Sequence, residues 1–301
     1  MACAQKKTFP KLEKPTLLVF CGDQGFRSSP YWQASAADTA VHMLDVLHEE
    51  SDLQRFNDHA HLVYRLIDVG VNYNFESDFT FWLNHGQKLI NAKIGEGSAN
   101  FFKYPALTSE QAQDAIQVGK KLAQREAHYG CNFLALAGLS QDVELTALVL
   151  TCALTGQSPS KLVDQKLQEK FKGNPLAQLA RKALNEHPKT HDAFTLLCLH
   201  GSFEIAALTG AILAAAEKEL IICLDNLPAT VALLVAHRVN PAVLGYCVFP
   251  DKPYTKLEKY LLKVVGAKPL LGLKADAQPG VKSCMALVPF QEMVKGLPKE
   301  D

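Results

Sequence analysis

Five short apolar strings alternate along this chain with longer stretches in which apolar residues recur every three or four positions. The strings cover 16–22 (Thr-Leu-Leu-Val-Phe-Cys-Gly), 62–69, 132–138, 220–225 and 243–249. Each is apolar at odd and even positions alike, so neither side suits water, and each reads as a strand buried on both faces. Helical periodicity fills 36–49, 109–128 with Ser109 as N-cap, 143–155, 160–185, 203–218, 228–239, 254–265 and 283–295. Strands separated by helices of this length imply right-handed crossovers. The predicted fold is therefore α/β: a doubly wound, mostly parallel, Rossmann-like sheet with helices on both faces.

In such a sheet, ligands bind beyond the carboxyl ends of the strands. The residues at those ends become candidates from position alone: Cys21-Gly-Asp-Gln-Gly25, Asp68, Gly138 and Asp225. The same residue types also terminate strands and cap helices without touching a ligand. Position in the sequence leaves both roles open.

Composition narrows the partners. The 301 residues include 31 Lys plus Arg against 31 Asp plus Glu, and 48% are hydrophobic, enough to bury a large core as a single domain over 1–301. The basic residues cluster only at Lys6, Lys7, Lys11 and Lys14, which argues against a nucleic acid or an anionic membrane. The longest greasy stretch, 205–216, is too short to span a bilayer, and the first residues lack the order of a signal peptide. Eight cysteines with no C-x-x-C pair suit reduced core thiols, hence a cytoplasmic location.

Several chemistries lack their residues. Gly95-Glu-Gly-Ser-Ala-Asn100 has no third glycine and leads into no helix, no Gly-Lys-Ser/Thr phosphate loop occurs, and no Gly-x-Ser-x-Gly elbow is present. His59 and His61 straddle a strand start, and Pro188 interrupts His187 and His191, so neither pair has ligand spacing. Neither a metal nor a cofactor is expected.

Seven segments, in order, carry a further signal: Phe20-Cys-Gly-Asp-Gln-Gly25, Ile67-Asp-Val-Gly-Val-Asn72, Gly95-Glu-Gly-Ser-Ala-Asn-Phe101, Pro105-Ala-Leu-Thr-Ser-Glu-Gln-Ala112, Ala153-Leu-Thr-Gly156, Gly201-Ser-Phe-Glu-Ile-Ala-Ala-Leu208, and Leu224-Asp225 followed by Ala229-Thr230. Together they resemble the nicotinate-nucleotide:dimethylbenzimidazole phosphoribosyltransferase family, which builds the lower-ligand nucleotide of cobalamin. The resemblance implies that Asp23 and Gln24 occupy the place of the family's first strand-end motif. It implies too that His42, in Thr39-Ala-Val-His-Met43, matches a base-recognising glutamine, and that Gly201, Ser202 and Glu204 line a nucleotide site at a helix start. Asp225 belongs to the same implied set.

Two family motifs are altered. Where a glycine-rich loop holds the mononucleotide phosphate, this chain reads Ala137-Gly-Leu-Ser-Gln-Asp-Val-Glu-Leu145, leaving Gly138 and Ser140 and adding Asp142 and Glu144. Negative charge there is expected to weaken phosphate binding. Where the family places the glutamate that deprotonates the attacking base, the stretch Ala277-Gln-Pro-Gly-Val-Lys-Ser-Cys284 puts Pro279. Proline accepts no proton, and losing a positioned base typically costs about 10²- to 10⁴-fold. Asp276 and Glu96 are the remaining carboxylates to consider.

The resemblance also implies a small helical domain built from the chain ends, expected to be reduced or missing here, and a dimer, either with itself or with a longer paralogue. Three functional readings follow: an active transferase with an altered site, a silent relative that binds a nucleotide, a base or a corrinoid precursor, and a non-catalytic subunit supporting an active paralogue.

Overall fold

The computed structural model describes residues 11–28, 38–75, 88–169, 171 and 175–296. Cys3, Lys6, Lys7 and the first residues of the helix expected from 36 lie outside this set.

Six parallel strands form one sheet in the order β3-β2-β1-β4-β5-β6: β1 (Thr16–Gly22), β2 (Val63–Gly70), β3 (Leu89–Asn91), β4 (Phe133–Leu139), β5 (Ile221–Leu224) and β6 (Cys247–Val248). Every residue of β1 and β4 is buried, as their unbroken apolar strings require of central strands. Alternate residues feed two cores. Leu18 and Phe20 face one side of the sheet, and Leu17, Val19 and Cys21 face the other.

On the first side lie α3 (Ser109–His128), α4 (Val143–Thr155), the short helices α5 (Pro159–Leu162) and α6 (Gln165–Glu169), α7 (Leu176–Asn185), α8 (Ala193–His200), α9 (Phe203–Glu217), α10 (Leu227–Val239) and α11 (Lys256–Val264). The second side carries α1 (Asp38–Leu47), α2 (Asp52–Ala60) and α12 (Val281–Lys295). Helix α9 packs on α3 through paired glycines. A Cβ on Gly119 would sit 1.8 Å from the Ala207 carbonyl oxygen, and one on Gly210 would sit 2.0 Å from that of Ile116.

The expected architecture holds, with local corrections. The 160–185 helix is broken into α5, α6 and α7, with Pro159 opening the first piece and Pro175 preceding the last. In the 243–249 string only Cys247 and Val248 pair as strand; Pro241–Tyr246 forms a 3-10 helix capped by Asn240. The N-cap of α3 is Thr108, not Ser109, because Thr108 and Gln111 form a reciprocal capping box. Helices α2 and α8 and strand β3 carry too few apolar positions, or are too short, for periodicity to announce them.

Candidate functional site

The strand order reverses between β1 and β4, and a crevice opens above their carboxyl ends. Gln24, two residues past β1, crosses this switch point. Its Nε2 donates to Ser140 Oγ at 2.8 Å, beyond the end of β4, and to Glu204 Oε1 at 2.6 Å, in the first turn of α9. Its Oε1 accepts from Thr146 Oγ1 at 2.6 Å. All the hydrogen-bonding capacity of the amide hydrogens is thus used inside the protein.

Glu204 is completely buried. Its Oε1 also accepts from Ser202 Oγ at 2.7 Å, while Oε2 has no partner. A Cβ on residue 22 would lie 2.9 Å from that oxygen, so Gly22 leaves room for the carboxyl group. Burial pushes the Glu204 carboxyl up to about 7, against the lowering effect of the Ser202 and Gln24 hydrogen bonds.

On one side of Gln24 lies a cavity of about 470 Å³. Its walls come from the turn after β1 (Asp23, Gln24, Arg27), from Asn72 after β2, and from the 96–100 loop. Asp23 braces this wall: its carboxylate accepts from Thr39 Oγ1 and, at 2.7 Å, from the Asn72 amide. Its backbone carbonyl accepts from the Ser98 amide at 3.0 Å. The loop approaches so closely that a Cβ on Gly25 would fall 1.8 Å from the Ser98 carbonyl oxygen. Asp68 turns its carboxylate back onto the amides of Gly70 and Val71 and pairs with Lys93 at 3.0 Å, so it serves the turn.

On the other side a cavity of about 170 Å³ is lined by Gly138, Ser140 and Glu144 from the β4–α4 segment and by Asp276, Pro279 and Lys282 from the approach to α12. Asp142, in left-handed conformation at the N-cap of α4, does not stand as a bare charge here. Arg27 Nε lies 3.0 Å from its carboxylate, and the same guanidinium reaches Asp38 at 2.5 Å. Burial raises the Asp142 pKa and Arg27 opposes that rise. Asp142, one of the two acidic residues of this loop, thus shares the Arg27 guanidinium with Asp38.

The sequence candidates therefore divide. Asp23, Gln24 and the exposed Glu96 line the larger cavity, and Gly138, Ser140 and Asp276 the smaller, so the two candidate bases stand in different chambers. Ser202 and Glu204 lie beneath Gln24, and Ser202 directs its hydroxyl to Glu204, making no side-chain cap to α9. Gly201 is a packing glycine, since a Cβ there would meet the Leu197 carbonyl oxygen at 2.4 Å. His42 sits on α1 with its ring against Gln141 Nε2, 3.0 Å from its own Nε2, and lines neither chamber.

Asp225 is spoken for. Its carboxylate accepts from the amides of Gly280 at 2.8 Å and Ser283 at 2.7 Å and from the Ser283 hydroxyl at 2.7 Å, holding the N-terminus of α12. Four contributors escaped sequence reading: Arg27, Asn72, Thr146 and Lys282. Thr146 left one signal, a buried hydroxyl in a mostly apolar helix.

Among the described residues, no helix is long and apolar enough to cross a membrane, and no three metal-ligating side chains cluster. The seven described cysteines are free thiols, six of them buried.

A phosphoribosyltransferase family model matches residues 1–294. The nicotinate-nucleotide–dimethylbenzimidazole phosphoribosyltransferase of Cupriavidus necator is 31% identical, with 92% of this chain and 78% of that protein aligned. The same-named protein of Dechloromonas aromatica is 31% identical over 97% of this chain and 83% of its own. The crystal structure of the Thermus thermophilus enzyme superposes with a TM-score of 0.84 at 23% identity, covering 97% of this chain and 85% of that one, which establishes likeness of fold.

Proposed function

We propose, from the premise that this chain belongs to the nicotinate-nucleotide–dimethylbenzimidazole phosphoribosyltransferase family, that it binds an aromatic nitrogen base in the crevice over β1 and β4 and transfers phosphoribosyl groups to it slowly or not at all. The reaction named for its relatives requires a ring nitrogen to attack the anomeric carbon of the nucleotide as the bond to nicotinate breaks. The proton on the base must then be taken up. The observation that carries the reading is Pro279. It lines the smaller chamber where the family resemblance puts a glutamate, and it has no group to accept that proton.

Base binding has better support than transfer. Between them the two chambers on either side of Gln24 give the crevice room for a bicyclic heterocycle, and both are edged by side chains that can donate or accept hydrogen bonds. The chamber next to Ser140 has lost the glycine-rich cradle, and Lys282 lines it together with Glu144, Glu258 and Asp276. Buried thiols agree with a cytoplasmic protein. Val41 and Leu44, exposed on α1, agree with a second subunit.

The test is formation of α-ribazole phosphate from nicotinate mononucleotide and dimethylbenzimidazole, with calorimetry of each substrate alone. Base binding without turnover is the expected result. Robust turnover abolished by Asp276→Ala would show that another carboxylate has assumed the task and would overturn the slow-transfer reading.

A further inference from the structure

The polar cluster under the crevice contains a buried acid that touches neither chamber and yet controls a group that does. We propose that the charge on Glu204 sets the hydrogen-bond polarity that Ser140 presents to the ligand chamber, with the Gln24 amide as the reversible link. This rests on the heterocycle-binding reading and adds to it a regulated donor.

In the arrangement observed, Gln24 gives one N–H to Glu204 and the other to Ser140 Oγ, and takes the Thr146 hydroxyl hydrogen on Oε1. Ser140 Oγ is therefore an acceptor toward Gln24, and its own hydrogen is free to point into the chamber that Ser140 lines. That arrangement belongs to the carboxylate form of Glu204, which accepts from Gln24 and Ser202 together. Once the carboxyl gains a proton, the complementary pattern is an amide turned by half a revolution. Gln24 Oε1 then accepts from the Glu204 and Ser140 hydroxyls, and Nε2 donates to Thr146 Oγ1. Ser140 offers the chamber a lone pair in place of a hydrogen. Apart from the exchange of the amide nitrogen and oxygen no heavy atom need move, because the two ends of a Gln amide have nearly the same shape.

The physical setting favours a change of state. Glu204 is fully buried with one oxygen unpartnered, which disfavours the anion; the N-terminus of α9 and two donors favour it. Burial outweighs the donors, placing the carboxyl pKa at about 7. Other titratable groups face the cluster from each side: Cys21 and Asp23 from β1 and its turn, and Asp68 with Lys93 from β2. Arg27 with Asp142, and Glu144, lie toward α4. Among these, Asp68 and Asp142 have cationic partners, and burial together with neighbouring carboxylates holds the Cys21 thiol well above its usual range.

Two measurements on the full chain test the proposal. First, NMR of the Gln24 side-chain amide and the Glu204 carboxyl carbon should show both titrating together near neutrality. The Gln24 response should vanish in Glu204→Gln, an isosteric change that keeps the fold by circular dichroism. In Gln24→Met, loss of a donor should move the Glu204 midpoint upward. Second, calorimetry with N-methylbenzimidazole, a neutral heterocycle with an acceptor nitrogen and no N–H, should show affinity rising about 3- to 10-fold across neutrality, the worth of about one hydrogen bond. That rise should be absent in Glu204→Gln and Ser140→Ala.

Gln24 signals that stay flat with pH, or that titrate unchanged in Glu204→Gln, would overturn the proposal, as would a pH-independent affinity in the unmodified protein. If the probe fails to bind at every pH while the coupled titration persists, the switch stands and the heterocycle reading falls.

Discussion

Substituting Gly119 by alanine tests whether the position of α9, and with it Glu204, depends on the bare backbone contact with α3. Alanine in place of a mid-helix glycine ordinarily stabilises a helix by about 1 kcal/mol. Here the new Cβ would stand 1.8 Å from the Ala207 carbonyl oxygen and 2.8 Å from the Ala211 amide nitrogen. The obstacle is backbone, so no rotamer change relieves it, and the helices must separate by more than 1 Å to restore even a tight contact. Separation loosens the packing of Ala207, Leu208 and Ala211, all buried between the helices and the sheet. Overpacking of this kind costs about 1–3 kcal/mol, commonly more when backbone is involved, so the steric effect outweighs the propensity gain.

We expect net destabilisation of about 2 kcal/mol by urea unfolding. The site should suffer as well. Glu204 and Gln24 meet at 2.6 Å, and a shift of that size in α9 breaks the contact. Heterocycle affinity should drop in parallel, measured by calorimetry well below the unfolding midpoint. Alanine at 119 leaving stability equal or higher would refute the argument that close backbone approach fixes α9.

Four further outcomes are expected. The Glu204 carboxyl is raised from 4.5 to about 7 in the folded chain, so its contribution to stability is complete below pH 4.5 and is lost as pH rises through 7. At about 1.36 kcal/mol per pH unit, Glu204→Gln should flatten roughly 3 kcal/mol of that decline in a pH series of urea midpoints. His200 has the opposite sign: burial lowers it from 6.5 to about 4, so stability present above pH 6.5 is lost toward pH 4, and His200→Gln should soften the acid limb. Asp225→Ala removes three hydrogen bonds from the start of α12 and should cost about 3 kcal/mol, with heterocycle affinity unchanged if its role is to hold that helix. Pro279→Glu restores a proton acceptor to the smaller chamber and should raise α-ribazole phosphate formation by about 10²-fold or more; no gain would locate the defect elsewhere.

What the sequence determined by itself was whatever depends on neighbours along the chain. An apolar string with no polar alternation can only lie in the middle of a covered sheet, and this fixed β1, β4 and β5; β2, interrupted by Arg65 and exposed at Val63, completed the parallel, doubly wound class. The ordered segments from Phe20 onward pointed to the family and to Gln24 and Glu204, and the altered loop after β4 to Ser140. Local punctuation already limited this reading, as where Pro159 and Pro175 divided one long helical pattern into pieces and Asn240 drew 241–246 into a 3-10 helix. Only tertiary structure decided the roles of the polar side chains. Asp225 meets Ser283 58 positions on, Gln24 meets Thr146 122 positions on and Glu204 180 positions on. Arg27 meets Asp142 just as remotely. A carboxylate at a strand end carries the same local signature whether it faces a ligand or caps a distant helix. The difference lies in what the crossovers bring to its oxygens, and in the loss of solvent that makes each of those partners count.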